Sequence, residues 1–442
     1  MGNAPTTPAR KLTDAEARLA EIFAAQQSAG APPLTELRTA AFDAFSKTGL
    51  PNRHDEAWKY TDLRALLRDV KPLAAPPEES AKQSARTAAV LTDITARRIV
   101  FVGGYLVPEL SDLDDLEKGL SVTSLSEALA KGDSATTAQL GKVAKVDDPV
   151  FALNTAFMGE GVVIRVSAGA CVDRPIQLVF VAGAQPATYF LRSLVIIEKG
   201  ARATLIESFE GDTAQEYHVN AATEVVLEEG ASLERLKIAR EGAAAMHVST
   251  FVAALAANSQ LNDIGINLGG AMLRNQSFIS LNGQAAHAAL RGANILKNKE
   301  HADATLFLDH AAERSESKAL FKSVLDNTSE AVFQGKILVR PGAQKTDARM
   351  MARALLLSEG AQAYCKPELE IFADDVQCAH GSTVGALDAN LVFYLMARGI
   401  CQAEAQAMLT EAFIGEVIDA VENRSVRETL TALVSERLRL GE

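Results

Sequence analysis

The sequence predicts a mainly β protein, with a long strand-rich middle and helical regions at both ends. Three observations carry this reading. Short apolar bursts recur through the middle (Ile99–Val102, Gly161–Val166, Ile176–Val181, Leu194–Ile197, Glu224–Leu227), too short for helices and set off by Gly, Asn or Asp. Gly-centred corners repeat, with Gly169, Gly200 and Gly230 spaced 31 and 30 residues apart and each followed by Ala. At both ends the apolar residues follow a helical period instead. A period of roughly 20–50 residues marks stacked units, each burying its inner face on the next, and Gly supplies a left-handed corner. A solenoid suits this pattern; a large antiparallel sandwich with ordinary turns is the alternative it leaves open.

Taken in order, residues 1–70 form an N-terminal helical region. Leu12, Leu19, Ile22 and Phe23 repeat at helix spacing, with Thr13-Asp14 near the start. Leu34, Leu37, Ala41 and Phe45 form a second stripe. The only Trp, Trp58, follows and is expected to pin this region to the body. Residues 71–95 are rich in Ala, Pro and Ser without an apolar period, and read as a linker. Residues 96–386 form the strand-rich core. Its Gly corners continue as a weaker echo at Ala257-Asn-Ser259 and, more loosely spaced, at Gly283, Gly342 and Gly360. Residues 387–442 turn helical again. Asp388 is placed to cap a helix through Leu391 and Leu395, and further helices are expected over 403–421 and 426–438. These are too few to form a domain, so they pack on the end of the core or on a partner.

Composition excludes several classes. The chain has 442 residues, 44 Lys+Arg against 56 Asp+Glu and a net charge of -12, which argues against a general nucleic-acid binder. Aromatics total 5%, unlike a base-stacking protein. No run reaches about 18 uninterrupted apolar residues, so no membrane-spanning helix is expected. The N-terminus lacks the apolar core of a signal peptide, and its Met-Gly-Asn-Ala-Pro-Thr start fits the myristoylation pattern only formally. A cytoplasmic protein with reduced thiols is the expectation. The four cysteines, Cys171, Cys365, Cys378 and Cys401, form no C-x-x-C pair and hence no ferredoxin-type cradle or zinc ribbon. There is no P-loop, no Gly-x-Gly-x-x-Gly after a strand and no Gly-x-Ser-x-Gly elbow, so no nucleotide is expected to bind this chain.

The densest reactive segment runs from Lys366 to Thr383. Cys378 and His380 are two residues apart, so on a strand they share a face. Such a pair is a soft ligand set for iron or zinc, a nucleophile with its base, or a small buried Cys beside a hydrogen-bonded His. Asp374 and Asp375 stand just upstream, one expected on each face. With Glu370 they are the carboxylates that a carbohydrate-cleaving solenoid would use, but sugar-stacking aromatics are scarce. His301, Asp303, Asp309 and His310 form a second polar group, with both Asp on one strand face and His310 on the other; rung-to-rung hydrogen bonds explain it as well as a metal does. Cys365 is thirteen residues before Cys378 and is a candidate to approach it on a neighbouring rung. Cys171 and Cys401 read as packing and structural residues.

A long collinear run resembles the SufB/SufD family of iron–sulfur cluster assembly proteins. It comprises Phe321–Val324, Ser329–Ile337, Gly342–Ala348, Leu355–Ser358, Lys366–Ile371, Ala373–Thr383, Gly385–Asp388 and Phe393–Ile400, and Trp58–Thr61 resembles the family's N-terminal region. Two departures from the SufB-type branch favour the SufD-type one: Gly381 stands where a Glu usually follows the equivalent His, and 344–360 contains no Cys. The resemblance implies a right-handed parallel β-helix and a non-catalytic scaffold in a cytoplasmic complex with SufB and the ATPase SufC. It implies that SufC docks on the C-terminal helical region, with Asp388, Phe393, Tyr394, Arg398 and Phe413 as the partner-binding residues. It further implies that SufB pairs near the end of the β-helix, around a transient, shared iron–sulfur cluster. His380 matches the histidine proposed as a ligand to that nascent cluster; Cys378 matches a recurrent position of less certain role. No membrane or nucleic-acid partner is implied, and self-pairing of an isolated chain through the same edge stays open.

Overall fold

Sixteen strands, from Val162–Val166 to Gln377–Ala386, alternate between two parallel sheets and wind about eight turns of a flattened β-solenoid. The computed structural model describes residues 10–28, 33–86, 91–92, 94–211 and 215–439. The myristoylation-like start, residues 87–90 and 93 of the expected linker, and Gly441 lie outside the described residues. Pairing is in register over whole strands: Met246–Leu255 lies on Met272–Leu281, which lies on His301–His310. Alternation then sends every second side chain inward, and the inward residues stack into one apolar core from Ile99 to Ala373. The start of the coil is closed by antiparallel neighbours, Leu120–Ser124 on one sheet and Tyr105–Leu106 on the other. The last strand of each sheet, Gln362–Ile371 and Gln377–Ala386, pairs on one side only.

The repeated corners are where the glycines predict them. Gly169, Gly200 and Gly230 have φ of 69°, 66° and 68°, and the Asn258 echo has φ 57°. Each corner N–H donates to a carbonyl of the next corner: Gly169 to Lys199, Gly200 to Glu229, Gly230 to Ala257 and Asn258 to Gln284, all at 2.9 Å. The ladder continues through Ala285, Arg314 and Lys345, which hold the left-handed position with their own side chains. Gly283 and Gly342 therefore flank the left-handed residue rather than supply it, and Gly360 belongs to the opposite edge of the coil.

Three further expectations change. The region 96–386 is not all strand, because short helices Leu125–Ala130, Ser134–Gln139 and Pro149–Phe157 interrupt it before the regular coil begins. Much of 71–95 is docked rather than free: Leu73 bridges to Thr188, Ala74 N–H donates to Thr188 O at 3.1 Å, and a helix spans Glu79–Ala85. Cys171 is exposed rather than packed, while Cys401, also exposed, stands at a helix junction as expected. Arg202 Nη2 reaches the Cys171 sulfur at 3.3 Å, and Cys401 occupies the N-cap of Gln402–Ile418.

The N-terminal helices cover the outer face of the nine-stranded sheet. A capping box starts the first of them, Asp14–Ser28: Glu16 N–H donates to Thr13 Oγ1 at 3.2 Å and Thr13 N–H to Glu16 Oε2 at 2.8 Å. Trp58 is 1% exposed; its Nε1 donates to Asp148 Oδ2 at 3.0 Å, and the Arg274 guanidinium lies 3.7 Å from its ring centre. Arg274 also donates to Ala57 O at 2.6 Å and pairs with Asp303. The tryptophan thus pins the helical region to the solenoid, as expected.

The C-terminal helices Gln402–Ile418 and Arg424–Arg439 cover the outer face of the ten-stranded sheet. Ile414, Val417, Val421, Leu430 and Val434 pack there against Ile206, Leu236 and Ile264. Charged anchors flank this contact: Lys322 Nζ meets Glu416 at 2.5 Å and Arg437 meets Glu300 at 2.6 Å.

One stretch of the interior is polar. Arg235 bridges Glu207 at 2.5 Å and Asp263 at 2.7 Å. Lys237 donates to Ser249 at 2.9 Å and Asn275 at 2.6 Å, and the chain continues through Asn267 and Asn294 to Ser323. Mutual hydrogen bonding is what lets such groups stay inside.

Candidate functional site

Cys378 and His380 stand on the last strand, Gln377–Ala386, where the solenoid ends. Register places Cys378 over Ala348 and His380 over Met350, which are 0% and 2% exposed core residues. Both therefore stand on the inner face of the final turn, as their spacing predicts. No further turn covers them, so Cys378 is half-buried and His380 is exposed. The same strand would be interior if the coil continued; its exposure follows from being last.

Cys365 lies on Gln362–Ile371, in register with Phe333, and packs against the core. It belongs to the same turn as Cys378 but to the opposite sheet, not to a neighbouring rung on one sheet. Asp374 and Asp375 sit in the exposed turn between these strands rather than one on each strand face. Asp375 is held there by backbone: its N–H donates to Gln344 Oε1 at 2.9 Å, and its carbonyl accepts from Lys345.

Burial pushes the Cys378 thiol up, opposed by a hydrogen bond from the Ala348 backbone and reinforced by the Asp347 carboxylate. Burial also raises Cys365. Neither is an activated thiolate of the nucleophilic kind; deprotonation of Cys378 needs a metal or another positive charge beside it. Among the described residues no three His, Cys, Asp or Glu side chains converge on a metal-binding point. A cluster normally takes four protein ligands, so the Cys378–His380 face is at most part of a ligand set.

The second polar group is occupied structurally. His301 Nε2 meets Thr61 Oγ1 at 2.9 Å, and Thr61 donates to Asp303 at 2.5 Å. Asp309 is paired with Arg340 at 2.5 Å. His310 is fully buried between Ser315 at 2.7 Å and Ser317 at 2.9 Å, and burial lowers its pKa to about 4.

Beyond the last strand comes the helix Ala389–Met396, capped by Asp388, whose side chain accepts from Asn390 N–H at 2.8 Å. Only Val392 of this helix is buried. Phe393 is 72% and Tyr394 53% exposed, with Leu391 and Met396 beside them. Arg398 folds back with its guanidinium 3.4 Å from the Tyr394 ring centre. Phe413 is half-buried on the solenoid, 4.6 Å from Lys322 Nζ, and anchors its helix. Asp388 likewise shapes its helix end. Leu391 and Met396 extend this exposed apolar surface, and the unbroken apolar run Leu391–Met396 is its signal in the sequence, since a helix apolar all round must be covered by something. The open end also exposes Ile371, Phe372 and Val384.

Comparison with known proteins matches nearly the whole chain to one family. Residues 180–413 match the SufBD core domain of the SUF system for iron–sulfur cluster assembly, and residues 15–178 match the SufBD protein N-terminal region. The chain is 32% identical to the iron–sulfur cluster assembly protein SufD of Escherichia coli, over 89% of this chain and 90% of that protein. It is 30% identical to a SufBD family iron–sulfur cluster assembly protein of Synechocystis, over 91% and 90% respectively. SufD of Bacillus subtilis is 24% identical over 67% and 68%.

Proposed function

The chain belongs to the SufBD family of iron–sulfur cluster assembly proteins, on its SufD-like side, and from that premise we propose that it is a non-catalytic scaffold subunit that pairs with SufB and binds the ATPase SufC. The observation that carries this reading is the uncapped last turn, where an unpaired strand edge, a ring of exposed apolar side chains and the Cys378–His380 face coincide. An unpaired edge of ten residues is a template for another strand, and a scaffold partner that adds one would cover it.

In this reading the nascent cluster is cargo. His380 offers an imidazole from the exposed inner face, Cys378 is the weaker second ligand, and SufB supplies the remaining ligands. A ligand set split across an interface holds a cluster while the subunits are paired and lets it go when they part. The chain itself does no bond-making; SufC supplies ATP-driven movement. Phe393 and Tyr394 on the exposed helix form the SufC contact, with Arg398 at its edge. The helix follows the last strand after only Leu387 and Asp388, so movement of SufC reaches the cluster end directly. The complex works in the cytoplasm.

Reconstitution with SufB and SufC tests the two contacts separately. Phe393→Asp is expected to weaken SufC capture at least tenfold, leave SufB capture intact and leave the chain's own melting temperature unchanged. Undiminished SufC binding by that variant would remove the helix from the contact.

A further inference from the structure

A groove of about 280 Å³ opens on the outer face of the nine-stranded sheet, from the segment that Trp58 pins down to the sheet's last strand. Its floor is made by two register rows. One is Gln276, Thr305 and Gln334; the other is Phe278, Phe307 and Lys336. The two phenylalanines are half-buried, with ring centres 6.5 Å apart.

The charges around this groove are unbalanced. It is lined by two lysines and four carboxylates. Lys366 is taken by Glu56 and Glu368, both at 2.8 Å, and Lys336 by Glu370 at 2.7 Å. Asp148 is satisfied by Trp58 Nε1, by the N–H groups of Val150 and Phe151, and by Gln276. Asp147 is exposed, and among the described residues no side chain or backbone group pairs with its carboxylate. Aromatic faces beside an uncompensated carboxylate favour a planar cation.

The adjacent register row already holds such a group. Arg274 there lies on the Trp58 ring and pairs with the Asp303 carboxylate, the same two kinds of contact.

We infer that this groove receives an arginine side chain of a partner protein, its guanidinium on Phe278 and Phe307 and its charge met by Asp147. Lysine fits less well, because an ammonium lacks the flat face that stacks on the rings. The groove's lining includes neither the Cys378–His380 face nor the Phe393 helix, but Lys366 and Glu368 place its rim on the last strand of the nine-stranded sheet.

Trp58 is a built-in reporter, being the chain's only tryptophan and bonded to Asp148 in the groove wall. The full chain is titrated with arginine amide and with citrulline amide, its uncharged isostere, following Trp58 fluorescence and heat of binding. Saturable binding of arginine amide, at least five-fold tighter than citrulline amide, is expected. Asp147→Asn, an exposed and isosteric change, should erase that preference while leaving the melting temperature unchanged. Equal binding of the two amides, no saturation by either, or full preference retained in Asp147→Asn would overturn the assignment.

Discussion

Replacing Lys237 by Met should stabilise this protein. Lys237 lies inside the solenoid, 4% exposed; its ammonium donates to Ser249 and Asn275 and lies 5.1 Å from the Phe209 ring centre. Burial lowers its pKa from 10.5 to about 8, opposed by the more distant Glu241 carboxylate. At pH 7 the lysine is charged whether folded or unfolded, so the whole cost of burying that charge falls on the folded state. A shift of this size corresponds to roughly 3 kcal/mol at about 1.4 kcal/mol per unit. Above pH 8 the folded state sheds the proton while the unfolded state keeps it. The cost therefore shrinks as pH rises and is gone above 10.5. Met has similar length and no charge, and the Ser249–Asn275 bond of 2.6 Å survives its introduction. Allowing for the lost hydrogen bonds of Nζ, the variant should gain about 1–2 kcal/mol at pH 7. Urea midpoints followed by circular dichroism at pH 7, 8, 9 and 10 measure the difference between the two proteins. That difference cancels the other groups titrating in this range. The gap should close steadily from pH 8 to 10. A gap independent of pH, or a variant weaker than the parent by more than 1 kcal/mol at pH 7, would refute the reasoning.

Other perturbations have equally definite outcomes. Gly200→Ala puts an L side chain at φ 66° where its Cβ would meet nothing within 4 Å, so its cost isolates the corner conformation. About 1–2 kcal/mol of stability should be lost by urea titration, and no loss would mean the corner relaxes. Trp58→Ala should cost about 3–5 kcal/mol, because it empties a buried site and uncovers the Arg274–Asp303 pair. Limited proteolysis should then release the N-terminal helices before the solenoid is cut.

Much of this architecture can be read from the residues, and the exceptions have physical causes. Gly169, Gly200 and Gly230 announce three corners because Gly is the default residue for a left-handed turn. The phase is lost further on because Ala285, Arg314 and Lys345 adopt the same conformation, held by the neighbouring corner's carbonyl, and no composition signal marks them. The helices within 125–157 are six to nine residues long and lie between strands, too short to show a helical period. Trp58 was legible as an anchor because a lone Trp beside a polar helical zone has few places to go.

At the site, the shared face of Cys378 and His380 follows from their spacing alone. Their half-open position does not, because exposure depends on which turn is last, and that is set by the absence of a further strand. The turn position of Asp374 and Asp375 was hidden for a related reason, since the strand restarts only at Gln377. Phe393 and Phe413 look alike in sequence. Packing separates them: Lys322 and the ten-stranded sheet claim Phe413, while Phe393 meets solvent.

The central claim is that the last turn carries ligands for a shared cluster. Its most direct test is anaerobic iron and sulfide loading of the complex with SufB and SufC, comparing the parent chain with His380→Ala. His380 is exposed and, among the described residues, makes no hydrogen bond or ion pair, so the variant should fold and assemble as the parent does. The account predicts an intact complex whose bound iron and sulfide fall several-fold. Equal loading of the two complexes would contradict it and leave His380 a surface residue of the solenoid's end.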